Sequence, residues 1–250
     1  MERWRGKVAV VTGASMGIGA AISEALVNSG LRVIGIARRI EPIEQKARQF
    51  EGRLGKLYPV KADVSKEEDV LGAFEWITNN VGPVQILINN AAVTLEKSLL
   101  SCRPTDWATI IDINVIGLCT VTNEAVRIMR AHGNEGHIVH INSLAGHNST
   151  YYPGANVYPA SKHAVTALTE ALRQELNYVG SKIKVTSISP GLVDTPKVAE
   201  LKLQDHIIDN LANGCFLRDK DVADSVCYVL GTPPHVQIRE LMLDAISTIS

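Results

Sequence analysis

The chain has 250 residues, a length at which an α/β fold is often a single unit. Apolar residues make up 46% and charged residues 20%, enough for a sizeable core and unlike the composition of a disordered chain. The 25 basic and 26 acidic residues leave a net charge of -1 and are mixed along the chain, so no nucleic-acid footprint stands out.

The opening "MERWRGKVAVVTG" alternates charge with apolar residues and reaches Gly13 too soon to hold a secretory apolar core. No stretch approaches the roughly 18 uninterrupted apolar residues of a membrane span. These features predict a cytoplasmic protein. Short β-rich runs then recur at 7–13, 32–37, 57–64, 85–92, 137–143, 184–191 and 238–246, separated by segments of helical spacing. Ile18, Ile22, Ala25 and Leu26 share one helical face, and Ile110, Asn114, Leu118, Val121, Ala125 and Met129 share another. Strand–helix alternation without repeats or linkers predicts one α/β domain: a doubly wound, parallel, seven-stranded sheet of Rossmann type over residues 1–250, its strands apolar on both faces.

The first strand runs into "TGASMGIG" (Thr12 to Gly19). Glycines there permit a tight turn and close backbone approach, and the following helix start offers free N–H groups to a pyrophosphate. Gly13, Ser15, Met16, Gly17, Ile18 and Gly19 are therefore candidate cofactor contacts. No Lys-Ser/Thr ending follows, which excludes an ATP-type phosphate loop. The second strand ends in Ala37, Arg38 and Arg39, where an acid would bind a ribose 2'-hydroxyl. Two guanidiniums suit a 2'-phosphate instead, favouring NADP over NAD, with a solvated basic turn as the alternative.

Asn114 falls inside a helix expected from about 105 to 131, where asparagine is a mediocre former; it either organises a polar site or marks a local distortion. "HIVH" (137–140) reads as strand, so its histidines point to opposite faces and do not chelate a metal. Cys102, Cys119, Cys215 and Cys227 are widely spaced and signal neither zinc nor a disulfide framework. Ser143 in "INSLAG" ends the fifth strand, at the carboxyl edge where a hydroxyl reaches a substrate oxygen. A hydrolase pairing of Ser143 with His140 or His147 is disfavoured, because the context is not G-x-S-x-G. Tyr158 and Lys162 lie one helical turn apart at the start of a strong helix with Pro159 in its first turn. An ammonium at about 4 Å could bring the phenol pKa from about 10 toward 7.

Taken together, Thr12-Gly13-x-x-x-Gly17-x-Gly19, Asn89-Asn90-Ala91, Asn114, Ser143, Tyr158-x-x-x-Lys162 and Pro190-Gly191 resemble the single-domain short-chain dehydrogenase/reductases along the whole chain. The resemblance implies a nicotinamide-dependent alcohol dehydrogenase or carbonyl reductase. Tyr158 would be the general acid/base, Lys162 its pKa-lowering partner and a ribose contact, Ser143 the substrate-oxygen partner, and Asn114 the holder of a water linked to Lys162. Asp63 and Val64 would meet the adenine, Asn90 and Ala91 the adenosine side, and Pro190, Gly191, Val193 and Thr195 the nicotinamide. The family also implies a homodimer or homotetramer built on the helices at about 105–131 and 158–178.

Within that family, "MERWRGKVAVVTGAS", "GHIVHINSLAGH", "KHAVTALTEALRQEL" and "TPPHVQI" resemble the insect farnesol dehydrogenases and the vertebrate dehydrogenase/reductase member 11 group. That implies NADP and a hydrophobic alcohol such as farnesol, or else NADPH-dependent reduction of ketosteroids and other carbonyls. Three positions depart from the family pattern: Ala92 replaces a usual glycine, Met16 a small or basic residue, and the Ser143-to-Tyr158 spacing is lengthened. Tyr151 and Tyr152 in that longer connection read as pocket wall or as surface loop. The irregular stretch 192–218, with Leu201 among its apolar positions, reads as a substrate lid or as an ordinary surface helix.

Overall fold

The computed structural model describes residues 1–148, 155–196 and 216–246. Seven parallel strands form one sheet: β1 (Val8–Thr12), β2 (Arg32–Ala37), β3 (Lys56–Lys61), β4 (Val84–Asn89), β5 (Glu135–Ile141), β6 (Lys182–Pro190) and β9 (Glu240–Leu243), in the order β3-β2-β1-β4-β5-β6-β9. Two further strands, β7 (Val193–Asp194) and β8 (Leu217–Arg218), pair with each other outside it. They bring together the two ends of the proposed lid, whose residues 197–215, Leu201 and Cys215 included, lie outside the described part; so do Tyr151 and Tyr152.

Each inner strand is buried along nearly its full length because helices cover both faces. One face, with Ala9, Val11, Val33, Ile86, Ile88 and Val139, packs with α1 (Gly17–Asn28) and α7 (Asp219–Gly231). The other, with Val8, Val10, Ile34, Leu87 and Ile138, meets α3 (Glu67–Asn80), α5 (Leu118–Ala131) and α6 (Tyr158–Tyr178). A shorter helix, α2 (Glu41–Gln49), seals the β2 side through Ile43. The edge strands β3 and β9 are only partly covered, which corrects the expectation of two-sided burial for all seven: an edge lacks a neighbour and one layer of packing.

The expected faces are the buried ones: Ile22 and Leu26 in α1, and Ile110, Asn114, Leu118, Val121, Ala125 and Met129 along the fourth crossover. That crossover is a single stretch containing α4 (Pro104–Ile111), one π-helical turn (Asp112–Gly117) and α5. By length and composition Pro104–Ala131 could cross a membrane, yet its apolar face lies in the core. π turns collect where a helix is adapted to a site, so the local distortion expected at Asn114 is present. Gly117 permits it: a Cβ there would stand 2.7 Å from Val64 O.

The two strand histidines are core residues. His137 Nε2 meets Thr186 Oγ1 at 2.8 Å and His140 Nδ1 meets Thr169 Oγ1 at 2.8 Å. Both threonine hydroxyls donate onward to carbonyls, Ile238 O and Val165 O, so each threonine accepts from its histidine. Burial, with Lys184 and Arg3 near His137 and Lys162 near His140, lowers the pKa values to about 3 and about 4. The unfolded chain would bind these protons near pH 6.5, so stability is present above that pH and is lost as pH falls toward 4. At pH 5 each histidine costs about 2 kcal/mol relative to pH 8. Urea midpoints should fall accordingly between pH 8 and pH 5, and His137→Gln, which keeps the Nε2 donor, should remove roughly half of the loss. Equal midpoints at the two pH values would contradict this.

Candidate active site

The strand order reverses between β1 and β4, whose onward connections pass to opposite faces and open a crevice at their carboxyl ends. Gly13 (φ 67) and Gly17 (φ 52) take left-handed backbone in the turn above β1, a region costly for other residues. Space is equally restrictive. A Cβ on Gly13 would lie 2.9 Å from Ala91 Cα and from Asn90 Nδ2, and one on Gly19 would strike Gly13 O. Helix α1 starts at Gly17 without a side-chain cap, so its first N–H groups face the crevice available to an anion. Ile18 packs on the core, and Ser15 and Met16 lie beside it in the turn. Thr195 closes the turn from the other side, its Cγ2 3.2 Å from a Cβ placed on Gly17.

Arg38 and Arg39 are exposed beyond β2. Arg39 Nη2 reaches Met16 Sδ at 4.0 Å, which puts a guanidinium on the rim of the glycine turn. Asp63 lies across from Arg38. Burial works to raise its pKa, but the Ser65 hydroxyl and N–H that bond its carboxylate, with Arg38 and Lys66 nearby, outweigh this and hold it below the usual range. Val64, next along, packs between the sheet and the π turn.

Thr12 was not singled out from sequence except as the first residue of the motif. Its hydroxyl accepts from Asn90 N and Ala91 N, both at 3.0 Å, and Asn90 Nδ2 donates back to Thr12 O at 2.9 Å and Gly13 O at 3.3 Å. Asn90 and Ala91 thus form the floor of the glycine turn.

Ser143 and Tyr158 meet at the end of β5. The Ser143 hydroxyl accepts from Ala145 N at 3.1 Å, capping a short 3-10 turn (Leu144–Gly146), and lies near enough to the Tyr158 hydroxyl to favour its charged form. Lys162 is buried one turn farther along α6; its Nζ lies 5.7 Å from the Tyr158 ring centroid and donates to Ile141 O at 2.9 Å. The expected depression of the tyrosine pKa is corrected here. Burial of the phenol raises it, and the nearby Ser143 hydroxyl offsets only part, while the Lys162 ammonium is engaged by the Ile141 carbonyl.

Asn114 uses both amide hydrogens and one lone pair of Oδ1 on neighbouring segments. Its Oδ1 accepts from Val93 N at 2.8 Å, and its Nδ2 donates to Val93 O at 2.9 Å and to Ser161 Oγ at 3.0 Å. This clamps the segment after β4 to α6, with one lone pair of Oδ1 still unused among the described residues. On the far wall Pro190 ends β6, Gly191 N donates to Leu243 O at 2.7 Å, and Val193 is buried in β7. A Cβ on Gly191 would meet Asp244 Oδ1 at 2.5 Å. His147 bonds to Ser189, not to Ser143, so no hydrolase dyad forms. Among the described residues no cluster of metal-ligating side chains occurs, and Cys102, Cys119 and Cys227 are free thiols.

A doubly wound sheet with a capless glycine turn at its switch point and a tyrosine–lysine–serine group across the crevice defines the nucleotide-dependent oxidoreductase class. Residues 7–206 match the short chain dehydrogenase family. The chain is 46% identical over 245 residues to a farnesol dehydrogenase of Aedes aegypti, covering 97% of each. It is 43% identical over 258 residues to dehydrogenase/reductase SDR family member 11 of Gallus gallus, covering 100% of each. Among solved structures, the closed form of a serine dehydrogenase complexed with NADP+ superposes with a TM-score of 0.84 at 30% identity, covering 96% of each chain. This protein belongs to the short-chain dehydrogenase family and is an oxidoreductase acting on alcohols and carbonyls.

Removing the Asn114 amide leaves the part-buried Val93 N–H and C=O without that partner, at about 1 kcal/mol, the low end of the cost for a buried group. Asn114→Ala should lower stability by that amount in urea unfolding. An unchanged midpoint would show that the clamp carries no energy.

Proposed function

We propose that the chain interconverts a hydrophobic alcohol, farnesol first among candidates, with its aldehyde or ketone, using NADP(H). The observation that carries this reading is the pairing on one helical turn of Tyr158 with the buried Lys162, whose Nζ lies 5.7 Å from the Tyr158 ring centroid, at the carboxyl end of β5 where Ser143 stands. Gly13 and Gly19 have no room for side chains and Gly17 takes left-handed backbone, and the bare start of α1 fits a pyrophosphate. Arg38 and Arg39 fit a 2'-phosphate, in keeping with the NADP+ held by the structural relative. The substrate class is taken from the Aedes relative's name. Pro190, Gly191, Val193 and Thr195 would bracket the nicotinamide, and Asp63, Val64, Asn90 and Ala91 the adenosine half.

The bound cofactor supplies a hydride acceptor or donor, and its positive oxidised ring favours a nearby anion. Ser143 would hold the substrate oxygen while Tyr158 takes its proton during oxidation or returns it during reduction. With burial raising the phenol, the tyrosinate needs both Lys162 and that ring charge. Oxidation should therefore quicken as pH rises. Asn114 keeps the Tyr158 end of α6 in register through Ser161, whose Oγ donates to Tyr158 O at 2.7 Å. Exposed Ile116, Tyr178 and Val179 on the two long crossover helices support the homodimer or homotetramer that the family implies.

NADP-linked absorbance with farnesol and aliphatic and steroid alcohols, and NADPH oxidation with the matching carbonyls, tests the reading; no turnover on this panel would refute it. A higher kcat/KM for ketosteroids than for farnesol or farnesal would favour a carbonyl reductase of broad specificity instead. Tyr158→Phe should lower kcat by about 10²–10⁴-fold, and an unchanged rate would remove the proton-transfer role. Arg38→Asp should move the kcat/KM ratio toward NAD, whereas an unaltered ratio would mean that Arg38 does not read the 2'-phosphate.

A further inference from the structure

The 3-10 turn that begins at Ser143 is fastened from two sides. Toward α6, Thr166 Oγ1 donates to Gly146 O at 2.9 Å and accepts from Asn142 Nδ2 at 2.8 Å. Toward β6 and β9, His147 Nε2 lies 3.0 Å from Ser189 Oγ, and Ser189 Oγ lies 2.6 Å from Glu240 Oε1. The same carboxylate oxygen accepts from Ser187 Oγ at 3.1 Å and stands 3.5 Å from His147 Nε2.

Directions within this chain follow from valence. A carboxylate only accepts, so Ser189 spends its one hydrogen on Glu240 and must accept from His147, whose proton is thereby placed on Nε2. Ser187 and Ser189 are fully buried, and burying hydroxyls beside a carboxylate costs free energy unless every bond is made. The imidazole is consequently oriented by two strands of the sheet. Its backbone N donates to Leu144 O at 2.9 Å, and Gly146 N donates to Ser143 O at 2.9 Å, so the ring's position is passed to the residue that opens the turn. Ser143 Oγ already accepts from Ala145 N, which makes the hydroxyl's aim a property of the turn's shape.

We propose that His147 is a positioning residue for Ser143, holding the turn through its Nε2–H bond to Ser189 and Glu240. The inference rests on the alcohol–carbonyl reading above. Its effect belongs to the chemical step, since the glycine turn and the two arginines that would hold the phosphates of NADP lie beyond β1 and β2, away from this brace. A small misplacement of a positioned group can cost as much as about 10²-fold in rate.

The test uses the full-length protein with whichever probe of the panel above gives the highest kcat/KM. His147→Leu should lower kcat about tenfold while KM for NADP stays within about twofold of the parent. His147→Gln, which keeps a donor at nearly the same reach, should restore most of that loss. Ser189→Ala, which removes the acceptor and not the ring, should repeat the defect, and the double variant should lose no more than either single change. Unchanged kcat in both His147→Leu and Ser189→Ala would overturn the proposal, as would a loss in His147→Gln equal to that in His147→Leu. Should His147→Leu fail to fold, Ser189→Ala alone decides. Failure of the underlying reading has a different signature: Tyr158→Phe would then retain full activity.

Discussion

The bond network around Thr12 holds the crevice open. Two adjacent strands part company at β1 and β4, one chain turning to each face of the sheet, and their last backbone groups lose ladder partners there. The Thr12 hydroxyl takes up the N–H groups of Asn90 and Ala91, while the Asn90 amide satisfies Thr12 O and Gly13 O. Buried backbone groups need such partners. The price of this solution is space, because Asn90 and Ala91 occupy the volume that side chains on Gly13 or Gly19 would need. The glycines are thus explained twice: by left-handed backbone at Gly13 and Gly17, and by contact at Gly13 and Gly19.

A second constraint runs across the carboxyl ends of the central strands. Alternation and register place Asn89, His140, Asn142, Ser187, Ser189 and Glu240 on the sheet face that α5 and α6 cover. Nearly every other position of that face is apolar. The polar residues find partners in Thr122, Thr169 and Thr166 on the covering helices. Such a layer is a poor source of stability compared with well-packed aliphatic side chains, and His140 carries an acid-sensitive cost as well. It lies directly under Ser143, Tyr158 and Lys162, so the fold gives up packing where the chemistry needs fixed hydrogen bonds.

Legibility followed the range of the interaction. The seven strands could be read because parallel strands covered on two sides are continuous apolar runs, and Gly13, Gly17 and Gly19 because no other residue serves there. Tyr158 and Lys162 were legible as neighbours on one helical turn, and Ser143 as the residue at a strand end. The π turn at Asn114 was only half visible: an asparagine within a helix signalled a distortion, while its pair of hydrogen bonds to Val93 came from a segment 21 residues away. The pairing of β7 with β8 had no signal, being two residues long on each side. Nor could His147 be separated from an ordinary loop histidine before β6 and β9 supplied Ser189 and Glu240.

Local periodicity and the chemistry of single residue types were sufficient for the class of fold, the nucleotide turn, and the tyrosine–lysine pair. These depend on spacing along one strand or helix, which the chain carries within itself. Only the tertiary structure decided the electrostatics and the aim of those groups. The Tyr158 phenol is raised rather than lowered because burial and the engagement of Lys162 by Ile141 O are set by packing between α6 and β5. The Asn114 amide is committed to Val93, and the turn behind Ser143 is braced by a carboxylate nearly a hundred residues downstream. Desolvation and hydrogen-bond partnership are properties of a neighbourhood, and a neighbourhood exists only once distant segments have met.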